Sequence, residues 1–347
     1  MTPRWIGNLS FVLLAGLLAL GCGHPPGVIF EPLARPVVFP APPEPARIRY
    51  VGKLATNADL KPGVGFGQAI GQALFGKKPV EAMLDPYAAC TNGRERLFVA
   101  DPGRQMVHVF DLKTREYQQW QPLPGRFDEP VGVAYDSLND RLMVADSGAA
   151  TVYIFTSMGG VVAQTPPGLF VRPAGICFDT RSQRAFVADA GGHCIYVIAP
   201  NGQPITKMGS RGTALGQFNF PTNLAMDHEG RLYVADTLNF RVQQFSPDLV
   251  PIRQIGSKGD MPGYFSQPKG VACDSQNHLY VVDSHFEAVQ IFDANGSLLL
   301  NFGQEGHNPG EFWLPAGIFI DERDRIWIAD CYNHRVQVFD YIREAAP

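Results

Sequence analysis

Three histidines at the ends of repeated apolar segments are the side chains best suited to chemistry in this sequence. His193, His285 and His334 each follow a segment that ends in aspartate, and imidazoles brought together in this way could bind zinc. The sequence leaves that alternative open. The eight histidines contain no close pair with metal-ligand spacing, and HExxH, CxxC, P-loop and GxSxG motifs are absent. No cofactor is predicted.

The cysteines indicate packing rather than redox chemistry. Apart from Cys22 there are five, at Cys90, Cys177, Cys194, Cys273 and Cys331. Because five is an odd number, at least one thiol lacks an intrachain partner, and the spacings do not require a disulfide. No CxxCH motif for covalent haem is present. In an apolar strand, cysteine acts as a small hydrophobic residue.

The composition allows a large core and excludes several classes of protein. Hydrophobic residues make up 45% of the 347, and 36 glycines and 29 prolines provide many chain reversals. Disorder and a coiled coil are therefore excluded for most of the chain. The formal charge of −4 does not favour a polyanion partner, and nucleic acid is not predicted as one.

One unit is repeated six times from residue 86 onward. An apolar run closes on an aspartate at steps of 45, 43, 47, 47 and 47 residues, at Asp101, Asp146, Asp189, Asp236, Asp283 and Asp330. A proline lies 15 or 16 residues before each aspartate and opens a short strand. Four short strands in about 45 residues are typical of a propeller blade. The predicted fold is all-β, a six-bladed β-propeller of four-stranded antiparallel blades.

Residue types that recur in every blade are interpreted as structural. The six aspartates are placed to satisfy turn amides. Five residues before each of them lies an arginine, or His278 in blade five: Arg96, Arg141, Arg184, Arg231 and Arg325.

The last blade lacks a fourth strand of its own. Residues 48–52 (IRYVG) match residues 252–256 (IRQIG) in the fourth strand of blade four. We predict that this amino-terminal segment completes blade six and closes the ring. The propeller would then span 47–347. Its insertion, 55–85, contains helical apolar spacing from Phe66 to Phe75, and this helix could pack on the rim or contact a partner or membrane.

The first 46 residues have the composition of a targeting signal followed by a spacer. Residues 1–21 combine Arg4 with an apolar run and predict an export signal, with a retained transmembrane anchor as the alternative. Residues 19–22 (ALGC) resemble the lipobox of bacterial lipoproteins. The resemblance implies acylation of Cys22 and an extracytoplasmic, membrane-anchored location, at the outer membrane or in the periplasm of a diderm cell. Residues 22–46 are rich in proline, which predicts an extended tether.

Two segments carry a resemblance to a known repeat. Residues 329–339 (ADCYNHRVQVF) resemble the NHL repeat, and residues 235–242 (ADTLNFRV) resemble a second copy. The resemblance covers about 47–347. It implies that the turns after the aspartates share one face with the glycine-rich blade connections. NHL propellers serve as interaction modules, RNA binders or, in related lyases, enzymes.

The turns after the aspartates break the symmetry of the repeat. They are small in most of blades one to three and carry aromatic and histidine side chains in blades four to six. The candidate binding face comprises Arg104, His193, Phe240, His285, Phe286, Tyr332 and His334.

The predicted function is a protein-binding or scaffold module of the cell envelope. Its partners would be another envelope protein or complex and the membrane, reached through the lipid anchor. The alternative is a metal-dependent propeller enzyme of lyase or lactonase type that uses the mouth of the central channel. The sequence favours the binding module over an enzyme.

Overall fold

Six antiparallel sheets form a ring in the computed structural model, which describes residues 25–63 and 79–343. The first strands of neighbouring blades contact one another in a closed circle. In blades one to five the strands follow in chain order from the channel to the rim, and in blade six the outermost strands come from the amino-terminal part of the chain. The prediction of an all-β, six-bladed propeller is confirmed.

The strand bounds follow the repeat. Two strands precede it, β1 (Val38–Phe39) and β2 (Ile48–Leu54). Blades one to three contain β3 (Ala88–Thr91), β4 (Arg96–Asp101), β5 (Met106–Asp111), β6 (Tyr117–Trp120), β7 (Pro130–Asp136), β8 (Arg141–Asp146), β9 (Thr151–Thr156), β10 (Val161–Gln164), β11 (Pro173–Asp179), β12 (Arg184–Asp189), β13 (Cys194–Ile198) and β14 (Pro204–Met208). Blades four to six contain β15 (Pro221–Met226), β16 (Leu232–Asp236), β17 (Arg241–Phe245), β18 (Pro251–Ile255), β19 (Pro268–Cys273), β20 (Leu279–Asp283), β21 (Ala288–Phe292), β22 (Leu298–Phe302), β23 (Pro315–Ile320), β24 (Arg325–Asp330) and β25 (Arg335–Tyr341). Short 3₁₀ helices span Asn57–Leu60, Thr237–Asn239 and Cys331–Asn333.

The core lies between the blades, so the second strands are buried on both faces. Every residue of β16 is buried, as is every residue of β20. This explains why these strands are apolar at successive positions instead of alternating. Phenylalanines at the ends of the third strands, such as Phe245 and Phe292, are at most 1% exposed.

The repeated basic residues, five positions before the aspartates, lie at or just before the start of the second strand, at the opposite end from the aspartates. Four of these six residues pair with a carboxylate of their own blade over 2.6–3.0 Å, namely Arg96, Arg231, His278 and Arg325. The hydrogen bond from His278 to Asp274 raises the pKa of that imidazole, although burial opposes the shift. These contacts agree with a structural role for the repeated basic residue.

The amino-terminal strand closes the ring as predicted. β2 pairs antiparallel with β25, from Ile48 opposite Tyr341 to Leu54 opposite Val336. Ile48 and Leu54 are fully buried. β2 and β25 therefore lie in one sheet, and β25 is paired along both of its edges.

The described part of the proline-rich segment lies against the ring, in contrast to the predicted extended tether. Val38 and Phe39 form a fifth strand beside β2, and the Phe39 ring lies 5.4 Å from that of Phe302. The Gly27 amide donates to the Lys61 carbonyl over 3.0 Å. Apolar side chains between the prolines gain enough from burial to hold the segment, and proline is tolerated at a sheet edge.

Three of the sequence predictions concern residues outside the described ranges. They are the export signal 1–21, the lipidation site Cys22 and the helix from Phe66 to Phe75. Among the residues that are described, no helix has the length and apolar character needed to cross a membrane.

We expect the loss of a buried side chain of the closing strand β2 to destabilise the whole ring. Leu54→Ala should lower the free energy of unfolding by about 2–5 kcal/mol, because it opens a cavity in a fully buried site. Lys53→Ala, at the exposed neighbouring position, should change it by less than about 0.5 kcal/mol. Urea denaturation followed by circular dichroism measures both. Equal effects of the two substitutions would contradict closure by β2.

Candidate functional site

Six buried carboxylates hold the loops at one face of the ring, which we call the aspartate-turn face. Each aspartate that ends a second strand is at most 1% exposed. In every blade one of its oxygens accepts the amide N–H two residues before the blade's proline, over 2.6–3.0 Å. These amides belong to Leu84, Asp128, Val171, Asn219, Ser266 and Trp313. The carboxylates therefore satisfy loop amides, as the repeat predicted.

Blades four and six add a buried polar network to this carboxylate. Asp330 Oδ2 accepts hydrogen bonds from Asn333 (2.9 Å), Arg335 (2.7 Å) and Gln337 (2.9 Å). The remaining guanidinium N–H groups of Arg335 donate to three carbonyls of the connection before blade six. The equivalent donors to Asp236 in blade four are Asn239, Arg241 and Gln243. The full donor set compensates for burying the ion pair.

Side chains of the preceding blade satisfy the loop amides that these two networks leave free. In the other four blades the aspartate also accepts the next amide along the loop. In blade four that amide, from Phe220, donates to His193 Nδ1 over 3.1 Å. In blade six the amide of Leu314 donates to Glu287 Oε2 over 2.6 Å. His193 and Glu287 both lie four residues after their aspartate, so each joins its own blade to the next.

Burial raises the pKa of Glu287, while the Leu314 amide acts in the opposite direction. A carboxyl oxygen accepts a hydrogen bond in either protonation state. The bond to the loop of blade six is therefore available whether or not Glu287 is ionised.

His334 makes the corresponding link from blade six to blade one. Its Nδ1 donates to the carbonyl of Leu84, and because a carbonyl oxygen only accepts, Nδ1 carries the proton. Two of the three histidines considered as zinc ligands are thus bonded to backbone groups of different blades. Within residues 25–63 and 79–343, no group of three or more His, Cys, Asp or Glu side chains could hold a metal ion.

Large side chains project from the aspartate-turn face in blades four to six. Trp313 is 40% exposed and Tyr332 is 53% exposed, with ring centroids 5.5 Å apart. His307 meets Trp313 edge-on at 5.1 Å. The neighbouring blades contribute Leu238, Phe240, His285 and Phe286. We call these seven residues the aromatic face.

The corresponding surface of blades one to three carries glycines beside the same loops. A Cβ atom on Gly148 would lie 2.6 Å from Asp128 Cβ, and one on Gly191 would lie 2.8 Å from Val171 Cγ1. The turn position two residues after the aspartate thus packs beside the loop that the aspartate holds. In blades one to three this position holds glycine, so no side chain projects from it. In blades four to six it holds Leu238, His285 and Tyr332, whose side chains project from the face.

The structure distributes the remaining candidate residues around this face. Arg104 is exposed on blade one, among the small turns. Phe240 lies under the Lys258 ammonium group, 5.0 Å from its ring centroid. His285 and Phe286 are neighbours with ring centroids 6.3 Å apart. Phe240, Phe286, Tyr332 and His285 all lie in blades four to six, whereas Arg104 lies in blade one.

Sequence reasoning missed Trp313 and His307. Trp313 occupies the loop position whose amide every blade's aspartate holds, so alignment of the six repeats at their prolines identifies it. His307 lies in a glycine-rich connection, and its Nδ1 contacts Asn333 Oδ1 at 2.5 Å. That contact bridges 26 residues and has no local sequence signal.

A second chemically suggestive group is buried in blade one. His108 Nε2 lies 3.0 Å from Asp101 Oδ2, and Nδ1 lies 2.6 Å from the Tyr117 hydroxyl. Burial acts to raise the pKa of Asp101, but hydrogen bonds from His108 and from the Leu84 and Asp85 amides lower it overall. His108 is fully buried and takes the position of Gln337 in blade six. We interpret the group as the structural equivalent of the polar network.

Comparison with known proteins agrees with the class that the fold defines. The family model of the NHL repeat matches residues 218–245 and 312–339, the segments of blades four and six that contain the Asp–Asn–Arg–Gln networks. Comparison with curated proteins finds no match.

Solved structures share the fold at low sequence identity. A gluconolactonase from Xanthomonas campestris has a TM-score of 0.63 at 15% identity, covering 92% of this chain and 100% of that one. A protein of unknown function from Bacteroides thetaiotaomicron has a TM-score of 0.61 at 16% identity, covering 74% and 70%. Virginiamycin B lyase from Staphylococcus aureus, in a catalytically inactive form with quinupristin, has a TM-score of 0.56 at 12% identity, covering 74% and 95%.

These findings define the class of the protein as a six-bladed β-propeller. More specifically, it is a propeller that contains NHL repeats.

We expect the buried network of blade six to depend on its cation. Arg335→Met should lower the free energy of unfolding by about 3–5 kcal/mol, because it leaves the fully buried Asp330 carboxylate without a charged partner. Arg325→Met in the same blade breaks a partly exposed ion pair with Asp340 and should cost about 1 kcal/mol or less. Urea denaturation of both variants checks this. A small effect at Arg335 would show that the network does not stabilise the blade.

Proposed function

We propose that this protein is a lipid-anchored, extracytoplasmic propeller that binds another protein of the cell envelope through the aromatic face. The observation that carries the proposal is the exposed pair Trp313 and Tyr332, held on loops fixed by a buried carboxylate. Tryptophan and tyrosine are enriched at the energetic centres of protein interfaces.

The rigidity of the loops supports a binding role. The Trp313 amide is bonded to Asp330, and the Tyr332 amide donates to the Trp313 carbonyl over 3.2 Å. The Leu314 amide is held by Glu287 from the preceding blade. A surface fixed before binding loses little conformational entropy when a partner docks. The aromatic face therefore has both the composition and the order of a docking surface.

The attachment of the amino terminus would bring the ring close to the membrane. The Gly27 amide is fixed to the Lys61 carbonyl, and Gly27 follows the proposed lipidation site Cys22 by five residues. Five extended residues span at most about 18 Å. We therefore propose a short anchor that holds the rim beside β2 near the lipid headgroups. The sequence analysis instead predicted that residues 22–46 form an extended tether between Cys22 and the ring.

The metal-dependent enzyme alternative stays a prediction. The likeness to a lactonase and a lyase lies at 12–15% identity and concerns the fold. Function in a propeller resides in side chains placed on that common frame.

We expect loss of the aromatic side chains to abolish capture of the envelope partner. The variant carries His285→Ala, Phe286→Ala, Trp313→Ala and Tyr332→Ala, and its affinity should fall at least about thirty-fold, because interface anchors contribute about 2 kcal/mol or more. Crosslinking in intact cells, affinity isolation and mass spectrometry identify the partner, and binding to the purified partner gives the affinity.

The matched control is Val171→Ala, an exposed apolar residue on the same face in blade three. It should leave capture unchanged, and melting curves of both proteins check folding. Equal capture by the quadruple variant and the native protein would refute docking through the aromatic face.

We expect Cys22→Ser to release the protein from the membrane fraction. The thiol of Cys22 is the proposed acylation site, and one lost lipid anchor removes about 0.8 kcal/mol per buried methylene. Cys194→Ser serves as the control and should remain membrane-bound. Fractionation and mass spectrometry of the amino-terminal peptide measure the change. A native peptide without acyl groups would contradict the anchor while leaving the aromatic face untested by this experiment.

A further inference from the structure

A cavity of about 260 Å³ occupies the channel inside the first strands of the blades. Its lining reaches the turns that follow these strands, where Ser137, Thr180 and Glu322 are exposed. First and second strands are antiparallel, so these turns lie on the opposite face of the ring from the aspartate turns. The cavity is therefore separate from the aromatic face.

Neighbouring first strands approach one another closely at the inner end of this cavity. A Cβ atom on Gly175 would lie 2.5 Å from Asn223 Cα, and one on Gly317 would lie 2.5 Å from the Tyr87 carbonyl oxygen. Gly132 and Gly270 meet carbonyl oxygens of the next blade in the same way. Each glycine lies two residues after its blade's proline. No described residue that comes earlier in its first strand than this glycine position lines the cavity. The cavity therefore ends at the glycine position.

The cavity walls are largely apolar and uncharged. They include Val133, Ile176, Leu224 and Ile318, together with the thiols of Cys90, Cys177 and Cys273. Burial raises the pKa of all three thiols, so they are neutral at physiological pH. The described lining residues contain no lysine, arginine or histidine, and their one carboxylate is Glu322 at the mouth.

Asn223 breaks the symmetry of the glycine layer. Its position holds glycine in four blades and Ala88 in blade one. The side-chain Oδ1 accepts the Leu224 amide over 2.7 Å, which assigns the other atom as the Nδ2 amino group. That amino group has no hydrogen-bond partner among the described residues, although Asn223 lines the cavity. The inner end of the cavity thus presents an amide donor that no described residue accepts, whereas Ser137, Thr180 and the other polar lining residues lie towards the mouth.

We infer that this cavity binds a small neutral molecule with an apolar body and a carbonyl oxygen directed to Asn223 Nδ2. The unpaired donor selects an acceptor, and the uncharged walls and the Glu322 carboxylate disfavour an anion. The volume lies just below the roughly 300–1,000 Å³ of pockets for drug-sized ligands. The ligand class is therefore a compact aromatic or aliphatic ketone, ester or amide. This inference does not depend on the function proposed for the aromatic face.

Two probes of equal shape test the role of the donor. Acetophenone carries a carbonyl oxygen where α-methylstyrene carries a methylene group. A neutral hydrogen bond contributes about 0.5–1.5 kcal/mol, so native protein should bind acetophenone about two- to twelvefold more tightly in ligand-observed NMR titrations. Failure of both probes to bind, or equal affinity for both, would overturn the inference.

Two sets of variants test the Asn223 donor and the cavity independently. Asn223→Ala should equalise the two probes, and Asn223→Asp, which retains an acceptor for the Leu224 amide, should also remove the preference for acetophenone at pH 8. Ser137→Trp should block both probes at the mouth. Its neighbour Leu138 does not line the cavity, and Leu138→Trp should bind like the native protein. A preference that persists in both Asn223 variants, or binding unaffected by Ser137→Trp, would place the ligand elsewhere.

Discussion

A hydrogen bond from a loop amide to a buried carboxylate recurs in each blade, and the order of the aspartate-turn face depends on it. The aspartate ends a strand that is packed between two neighbouring blades, so its position is set by the core. Leaving such a buried group unpaired costs about 1–3 kcal/mol. The loop before each first strand is therefore held at a fixed point, and its side chain can vary without loss of the fold.

This arrangement separates the frame of the ring from the surface that it presents. In blades four and six, asparagine, arginine and glutamine side chains donate hydrogen bonds to the second oxygen of the carboxylate, so that oxygen does not accept the next loop amide. The displaced amides of Phe220 and Leu314 then require acceptors from the preceding blade, His193 and Glu287. Both residues with displaced amides have positive φ, 60° and 48°, which is uncommon for bulky side chains and requires support from surrounding structure. The NHL blades thus depend on their neighbours more than the others do.

The period of the repeat was enough to predict the fold and the closing strand, because strands, prolines and aspartates recur in register. The packing of Val38 and Phe39 was missed, since a two-residue strand has no periodicity and gains its stability from Phe302 in blade five. The structural use of His193 and His334 was also beyond local patterns, because their partners lie 27 and 250 residues away. Residues that face outward, such as Tyr332 and His285, were predictable because they differ between blades that are otherwise alike.

The central claim is that the six carboxylates fix the loops of the aspartate-turn face. Hydrogen exchange of the native protein, resolved to single amides, tests it most directly. We predict slow exchange, equal to that of the second strands, for six amides of surface loops: Leu84, Asp128, Val171, Asn219, Ser266 and Trp313. Exchange as fast as in the exposed turns at the rim, such as the turn around Met158, would contradict it.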